Sequence, residues 1–93
     1  KIGNYFISEL EQLAKSYNII KEVRGRGLMI ALELNDNYHN SPAAPIQKEL
    51  LYKGFIVAHR PGFNVLRIDP PLTIGKEDIE SFINSLKQIL KSY

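Results

Sequence analysis

The sequence has no cysteine among its 93 residues. This absence excludes disulfide bonds, thiolate metal sites and a thiol nucleophile, and it fits the reducing cytoplasm, where we expect the protein to be located. The sequence also has no apolar run long enough to cross a bilayer and no visible signal peptide, so we predict no membrane partner.

An excess of charge is also absent. Twelve basic and ten acidic residues give a net charge of +2, which is too small to indicate a nucleic-acid partner. The two histidines and the carboxylates show no metal-ligand spacing, and no serine or threonine has an evident base partner. We therefore expect no metal site and no catalytic residue in this chain. We expect residues 1–93 to form a single domain and, because the first residue is Lys1, to be a fragment of a longer protein.

Three segments carry the apolar periodicity of amphipathic helices. The first spans roughly residues 2–16. The second begins near Pro42 and Pro45, which are tolerated in the first turn of a helix, and ends at Gly54. The third follows Gly75, which can serve as its N-cap, and has acidic residues in its first turn.

Four segments rich in branched aliphatic residues predict two β-hairpins. Residues 24–27, RGRG, predict a bend and not a phosphate-binding loop, because no helix follows them. The predicted order α-β-β-α-β-β-α indicates an α+β fold, in which helices pack on one face of an antiparallel sheet of about four strands. The strand segments are residues 19–23, 28–34, 55–59 and 64–69.

Arg67 is the most informative residue, because it is a charge in an otherwise apolar strand. Burying an unpaired guanidinium is costly, so Arg67 should meet a carboxylate or phosphate or face water. A two-residue turn between the last two strands would place Ile56 opposite Arg67 and Ala58 opposite Val65. Both faces of this hairpin are then apolar, which predicts that another surface covers the face that carries Arg67.

Residues 23–29, VRGRGLM, and residues 65–74, VLRIDPPLTI, are two motifs that resemble the C-terminal small domain of class III pyridoxal phosphate-dependent aminotransferases, such as the acetylornithine, ornithine and putrescine aminotransferases. The first motif is similar to the family segment V-R-G-x-G-L-M. The second motif is similar to the family segment V-[IL]-R-[ILF]-x-P-P-L-T-[IL]. The order and spacing of the two motifs also fit, and the resemblance covers nearly the whole chain.

The resemblance implies the small domain of a fold-type I enzyme that transfers an amino group from an amine or amino acid to a 2-oxo acid such as 2-oxoglutarate. It implies that the chain packs on a large domain that binds pyridoxal phosphate, gates the active site and belongs to a homodimer. Arg67 matches the arginine that binds a substrate carboxylate in many members. Nothing here matches the motif of the Schiff-base lysine, so we expect no cofactor-binding residue in this chain and no activity from the chain alone.

Two alternatives concern individual residues. Arg67 could instead be the structural ion-pair partner of Asp69 or Glu33. His59 ends a strand beside the predicted turn and is a candidate for the rim of a substrate site, whereas a histidine in that position is more commonly solvated. His39, in a polar loop, is a weaker candidate.

Two alternatives concern the whole chain. It could be a free-standing carboxylate-binding or regulatory module that has the same fold and no catalytic role. It could also be a nucleic-acid-binding domain that uses Arg24, Arg26 and Arg60. The weak asymmetry of charge and the lack of an aromatic strand pair count against nucleic acid.

Overall fold

The computed structural model describes residues 2–26, 29–35, 42–59, 63–71 and 73–92, without the side chain of Arg26. The helices and strands follow the predicted order. The helices are α1 (Ile2–Ser16), α2 (Ala43–Tyr52) and α3 (Lys76–Leu90), and the strands are β1 (Ile20–Arg26), β2 (Met29–Leu34), β3 (Ala58–His59) and β4 (Val65–Ile68).

The four strands form one antiparallel sheet in the order β1-β2-β4-β3, which confirms the predicted α+β class. Along β2 the burial alternates, because successive side chains of a strand point to opposite faces. One face packs against the helices, where Phe82 contacts both Phe6 and Phe55 edge to face. The shared core includes Phe6, Leu10, Ile30, Leu32, Leu34, Ile46, Leu50, Leu66, Ile68, Ile79, Phe82 and Leu86.

Helix α2 begins and ends at the residues that the sequence predicts. Pro42 precedes its first residue and Pro45 lies in its first turn, where a missing amide hydrogen costs no helical bond. Gly54 has a φ of 94°, which favours glycine over residues with a side chain. The amides of Gly54 and Phe55 donate to the carbonyls of Leu51 and Leu50, and this pattern is a Schellman motif.

The predicted bend at residues 24–27 is wrong in its extent. Strand β1 continues through Arg24 and Gly25 to Arg26, and Gly25 pairs with Ile30. A Cβ atom at Gly25 would lie 2.6 Å from Cδ1 of Ile7 on α1, so glycine allows the helix to approach the sheet closely. Residues 27 and 28, between the two strands, lie outside the described residues.

The predicted register of β3 against β4 is also wrong. Ala58, and not Ile56, pairs with Arg67, so the register is displaced by two residues. The connection is not the predicted two-residue turn, because that turn would place His59 opposite Asn64, whereas His59 pairs with Leu66. A displacement of two residues preserves the side-chain alternation, and Arg67 therefore lies on the predicted face.

Candidate functional site

Arg67 lies on the open face of the sheet, the face away from the helices. The pairing places Arg67 between Ala31 on β2 and Ala58 on β3, with Arg24 on β1 beyond Ala31 in the same row. The Arg67 side chain is 60% exposed. Alanine side chains are small, so Ala31 and Ala58 leave space on both sides of the guanidinium.

Two hollows meet at this side chain, and Ala58 and Arg67 line both. The larger hollow has a volume of about 640 Å³ and extends toward Asp69 and the core aromatics Phe55 and Phe82. The smaller hollow has a volume of about 530 Å³ and lies over Ala31. Both volumes are within the range of small-molecule sites, and both linings are mainly apolar. Arg67 is the cation that they share, and the larger hollow also has the carboxylates of Asp69 and Asp78 in its lining.

Asp69 is the partner of Arg67. The Nε atom of Arg67 donates to Oδ2 of Asp69 at 2.9 Å, and the Asp69 side chain is 47% exposed. Within the described residues, no acceptor holds the terminal nitrogens Nη1 and Nη2. The guanidinium is therefore oriented through one nitrogen while its two-pronged end can still accept a carboxylate.

Glu33, the other predicted partner of Arg67, belongs to a separate cluster on the open face. Nη1 of Arg24 donates to Glu33 at 2.6 Å and to Glu22 at 3.1 Å, and Lys21 lies 3.7 Å from Glu33. The hydrogen bond from Arg24 is the main reason that the pKa of Glu33 lies below its ordinary value of 4.5. Arg24 is thus committed to two carboxylates, which leaves it a poor candidate for a nucleic-acid contact.

The cluster predicts an acid-sensitive contribution to stability. A carboxylate whose pKa is lowered by folding stabilises the fold above its unfolded pKa, and the contribution is lost as the pH falls through the lowered value. We expect the free energy of unfolding to decrease below about pH 4.5, and Glu33→Gln to weaken this dependence. Urea unfolding of the 93-residue chain between pH 6 and pH 3 measures it. In an Arg24→Ala background, Glu33→Gln should change the pH dependence of stability less than it does in the wild type. An equal change would contradict the assignment of the lowered pKa to the hydrogen bond from Arg24.

His59 lies at the edge of the smaller hollow. His59 pairs with Leu66, the residue before Arg67 on β4. Its Nε2 donates to the carbonyl oxygen of Phe63 at 2.9 Å. The structure therefore holds the imidazole locally, and its role at the rim stays a prediction. His39 and Arg60 lie outside the described residues, as does the side chain of Arg26.

Sequence reasoning missed two features of this site. Ala31 lines the smaller hollow only because β2 and β4 are neighbours, and this pairing joins residues 36 positions apart. Asp69 was considered as an alternative to a binding role for Arg67, whereas the geometry allows both. The only local signal was the spacing of two residues between Arg67 and Asp69, which places both side chains on one face of an extended chain.

None of the described lysines has the surroundings expected of a Schiff-base lysine. A lysine that forms a Schiff base is activated by removal from water or by a neighbouring cation in a pocket. Every lysine in the ranges that the structure describes is exposed to solvent. In the same ranges, no three histidine, aspartate or glutamate side chains group to hold a metal ion, and none of the helices has the length and apolar character needed to cross a membrane.

Comparison with known proteins identifies the family. Residues 1–90 match the family model described as aminotransferase class-III. The acetylornithine aminotransferase of Methanocaldococcus jannaschii is 47% identical over 87 residues, which are 94% of this chain and 20% of that protein. The leucine/methionine racemase of Thermococcus litoralis is 37% identical over 95 residues, which cover 97% of this chain and 21% of that protein.

A solved structure agrees with these matches. The acetylornithine aminotransferase from Elizabethkingia anophelis superposes with a TM-score of 0.85 at 30% identity, over 98% of this chain and 24% of that one. The chain belongs to the class III aminotransferase family, whose members are pyridoxal phosphate-dependent. It spans about a fifth of the length of the curated relatives that it matches.

Proposed function

We propose that this chain is the substrate-gating small domain of a longer aminotransferase, called the full-length enzyme below. This enzyme transfers an amino group from an amine or amino acid to a 2-oxo acid such as 2-oxoglutarate, and Arg67 binds a substrate carboxylate. The observation that carries the proposal is the guanidinium of Arg67, which is exposed where two apolar hollows meet and has both terminal nitrogens free of partners among the described residues.

The contribution of this chain is binding and orientation. A carboxylate paired with both terminal nitrogens of Arg67 lies in the guanidinium plane, so two hydrogen bonds fix its direction as well as its position. Once the large domain covers the open face, the apolar walls would exclude water and strengthen this pairing. Pyridoxal phosphate, bound by the large domain, supplies the electron sink for the transfer.

The large domain is also the proposed cover of the open face. Three large apolar residues are exposed around Arg67: Met29 by 59%, Ile56 by 87% and Phe63 by 52%. Exposed apolar groups around a binding residue are typical of a surface that another domain covers. The homodimer, which the resemblance implies, and the cytoplasmic location, which the absence of cysteine favours, stay predictions for the full-length enzyme.

The named relatives suggest which substrates to examine first. The most similar relative described above is an acetylornithine aminotransferase, so we propose ornithine-type amino donors with 2-oxoglutarate as acceptor. A leucine/methionine racemase has a comparable segment, and its substrates also have an α-carboxylate. Racemisation without amino transfer would retain the carboxylate site but contradict the proposed reaction.

Replacing Arg67 with lysine in the full-length enzyme tests the proposal. Lysine keeps the charge but cannot make the two-pronged contact, so we expect the KM for the oxo acid to increase about tenfold. Steady-state kinetics with varied oxo acid measure the change, and the cofactor absorption spectrum should stay as in the wild type. The matched control is Arg24→Lys, which changes the other described arginine of the same row. Equal KM values for Arg67→Lys and the wild type would contradict a substrate role.

A further inference from the structure

Asp69 is placed beside Arg67 by the chain itself. Strand β4 ends at Ile68, and Pro70 follows Asp69. A residue before proline is restricted to extended conformations, so Asp69 continues the direction of the strand after its ladder has ended. Residues two apart in an extended chain share a face, and this geometry brings Oδ2 of Asp69 to 2.9 Å from Nε of Arg67.

Asp69 contacts the Nε nitrogen of Arg67, and this determines which part of the guanidinium can bind a substrate. A guanidinium can bind a carboxylate through Nε and one terminal nitrogen, or through its two terminal nitrogens. Asp69 occupies the Nε position, so only the terminal pair can receive a substrate carboxylate. The contact therefore selects one of two binding geometries.

Arg24 shows the opposite arrangement on the same face. Its contact with Glu22, also two residues away in the chain, is made through the terminal nitrogen Nη1, and the same nitrogen contacts Glu33. Two carboxylates of the protein thus occupy one of the two terminal nitrogens of Arg24. The pair of Arg24 and Glu22 has the same spacing as the pair of Arg67 and Asp69, but its contact uses the end of the guanidinium that Arg67 keeps open.

We propose that Asp69 is a positioning residue for Arg67, which it holds in the orientation that receives a carboxylate through the terminal nitrogens. This inference rests on the proposed function and adds a residue to it. Asp69 has two opposing effects on anion binding. Its hydrogen bond fixes the guanidinium, which reduces the entropy lost on binding, whereas its negative charge repels the incoming carboxylate.

Two substitutions separate these effects in the full-length enzyme. Asp69→Ala removes the hydrogen bond, and we expect the KM for the oxo acid to increase about two- to fivefold, the range that an exposed charged pair supports. Asp69→Asn keeps an oxygen that accepts from Nε and removes the charge. We expect its KM to equal or fall below that of the wild type, because the orientation is preserved and the repulsion is gone. The kcat should change less than the KM in both variants.

The control is Glu22→Ala, which removes the acidic member of the matched pair on β1 and should leave the KM unchanged. A purely structural Asp69 would give the wild-type KM in Asp69→Ala, and this result would overturn the inference. Rescue by Asp69→Asn supports positioning, whereas an equal increase in both variants contradicts it. The proposed function fails separately: it is overturned if Arg67→Lys leaves the KM unchanged, whatever the Asp69 variants show.

Discussion

Replacing Asn64 with alanine should lower the free energy of unfolding of the 93-residue chain by about 2–4 kcal/mol, because several backbone groups lose their partners at once. The buried side chain of Asn64 accepts from the amide of Ala43 at 3.0 Å and donates to the carbonyls of Leu34 and Asn35 at 3.2 and 3.1 Å. These bonds join the end of β2 and the start of β4 to the first residue of α2. Urea unfolding measures the change.

The bond to Ala43 contributes to this effect at the start of α2. Helix α2 has no side-chain cap of its own, since Pro42 stands at the N-cap position. Asn64 therefore supplies from a distant part of the sequence the acceptor that a local serine or aspartate would provide. Asn84→Ala on the exposed surface of α3 is the control and should change stability by about 0.5 kcal/mol or less. A similarly small change for Asn64→Ala would show that water replaces all these partners.

Replacing Gly25 with valine should lower the free energy of unfolding by about 2–3 kcal/mol, near the upper end of the cost of overpacking. The added Cβ would lie 2.6 and 3.1 Å from two side-chain atoms of Ile7 and 3.3 Å from the carbonyl oxygen of Met29. The backbone oxygen is held in the strand ladder, so the clash must be relieved at Ile7, whose side chain packs against the core. Chemical denaturation of the purified chain measures the loss.

The matched test of this clash is the double variant Gly25→Val with Ile7→Ala. Shortening Ile7 removes the two nearest atoms, so the double variant should be more stable than Gly25→Val alone although Ile7→Ala is itself destabilising. If the two losses simply add, the clash with α1 is not the reason for glycine at this position.

Local patterns predicted most of the fold. Apolar periodicity predicted the three helices. The limits of α2 were predicted by Pro42, Pro45 and Gly54, because proline and glycine determine the backbone conformation at their own positions. The alternation along β4 placed Arg67 on the face away from the helices. This result depends only on the period of a strand, and an error of two residues in the register of β3 does not affect it.

The errors come from contacts between distant parts of the chain. The RGRG segment has the composition of a bend, and only the close approach of Ile7 shows why a glycine continues the strand there. Asn64 was counted as an ordinary strand residue, because its partners lie 21 to 30 positions away. Neither turn composition nor strand propensity could reveal such side-chain bonds. The role of Arg67 in binding stays a prediction.

The strand order β1-β2-β4-β3 determines which of the strands around Arg67 opens most readily. Strand β4 is an inner strand and is paired on both sides, whereas β3 is a two-residue strand at the edge. Edge segments with few ladder bonds open more readily than the strands they flank. Fraying of β3 would therefore widen the smaller hollow, which Ala58 and His59 line, while the pairing with β2 keeps Arg67 in place. The site would thus have an easily opened edge strand beside a firmly paired strand that carries the arginine.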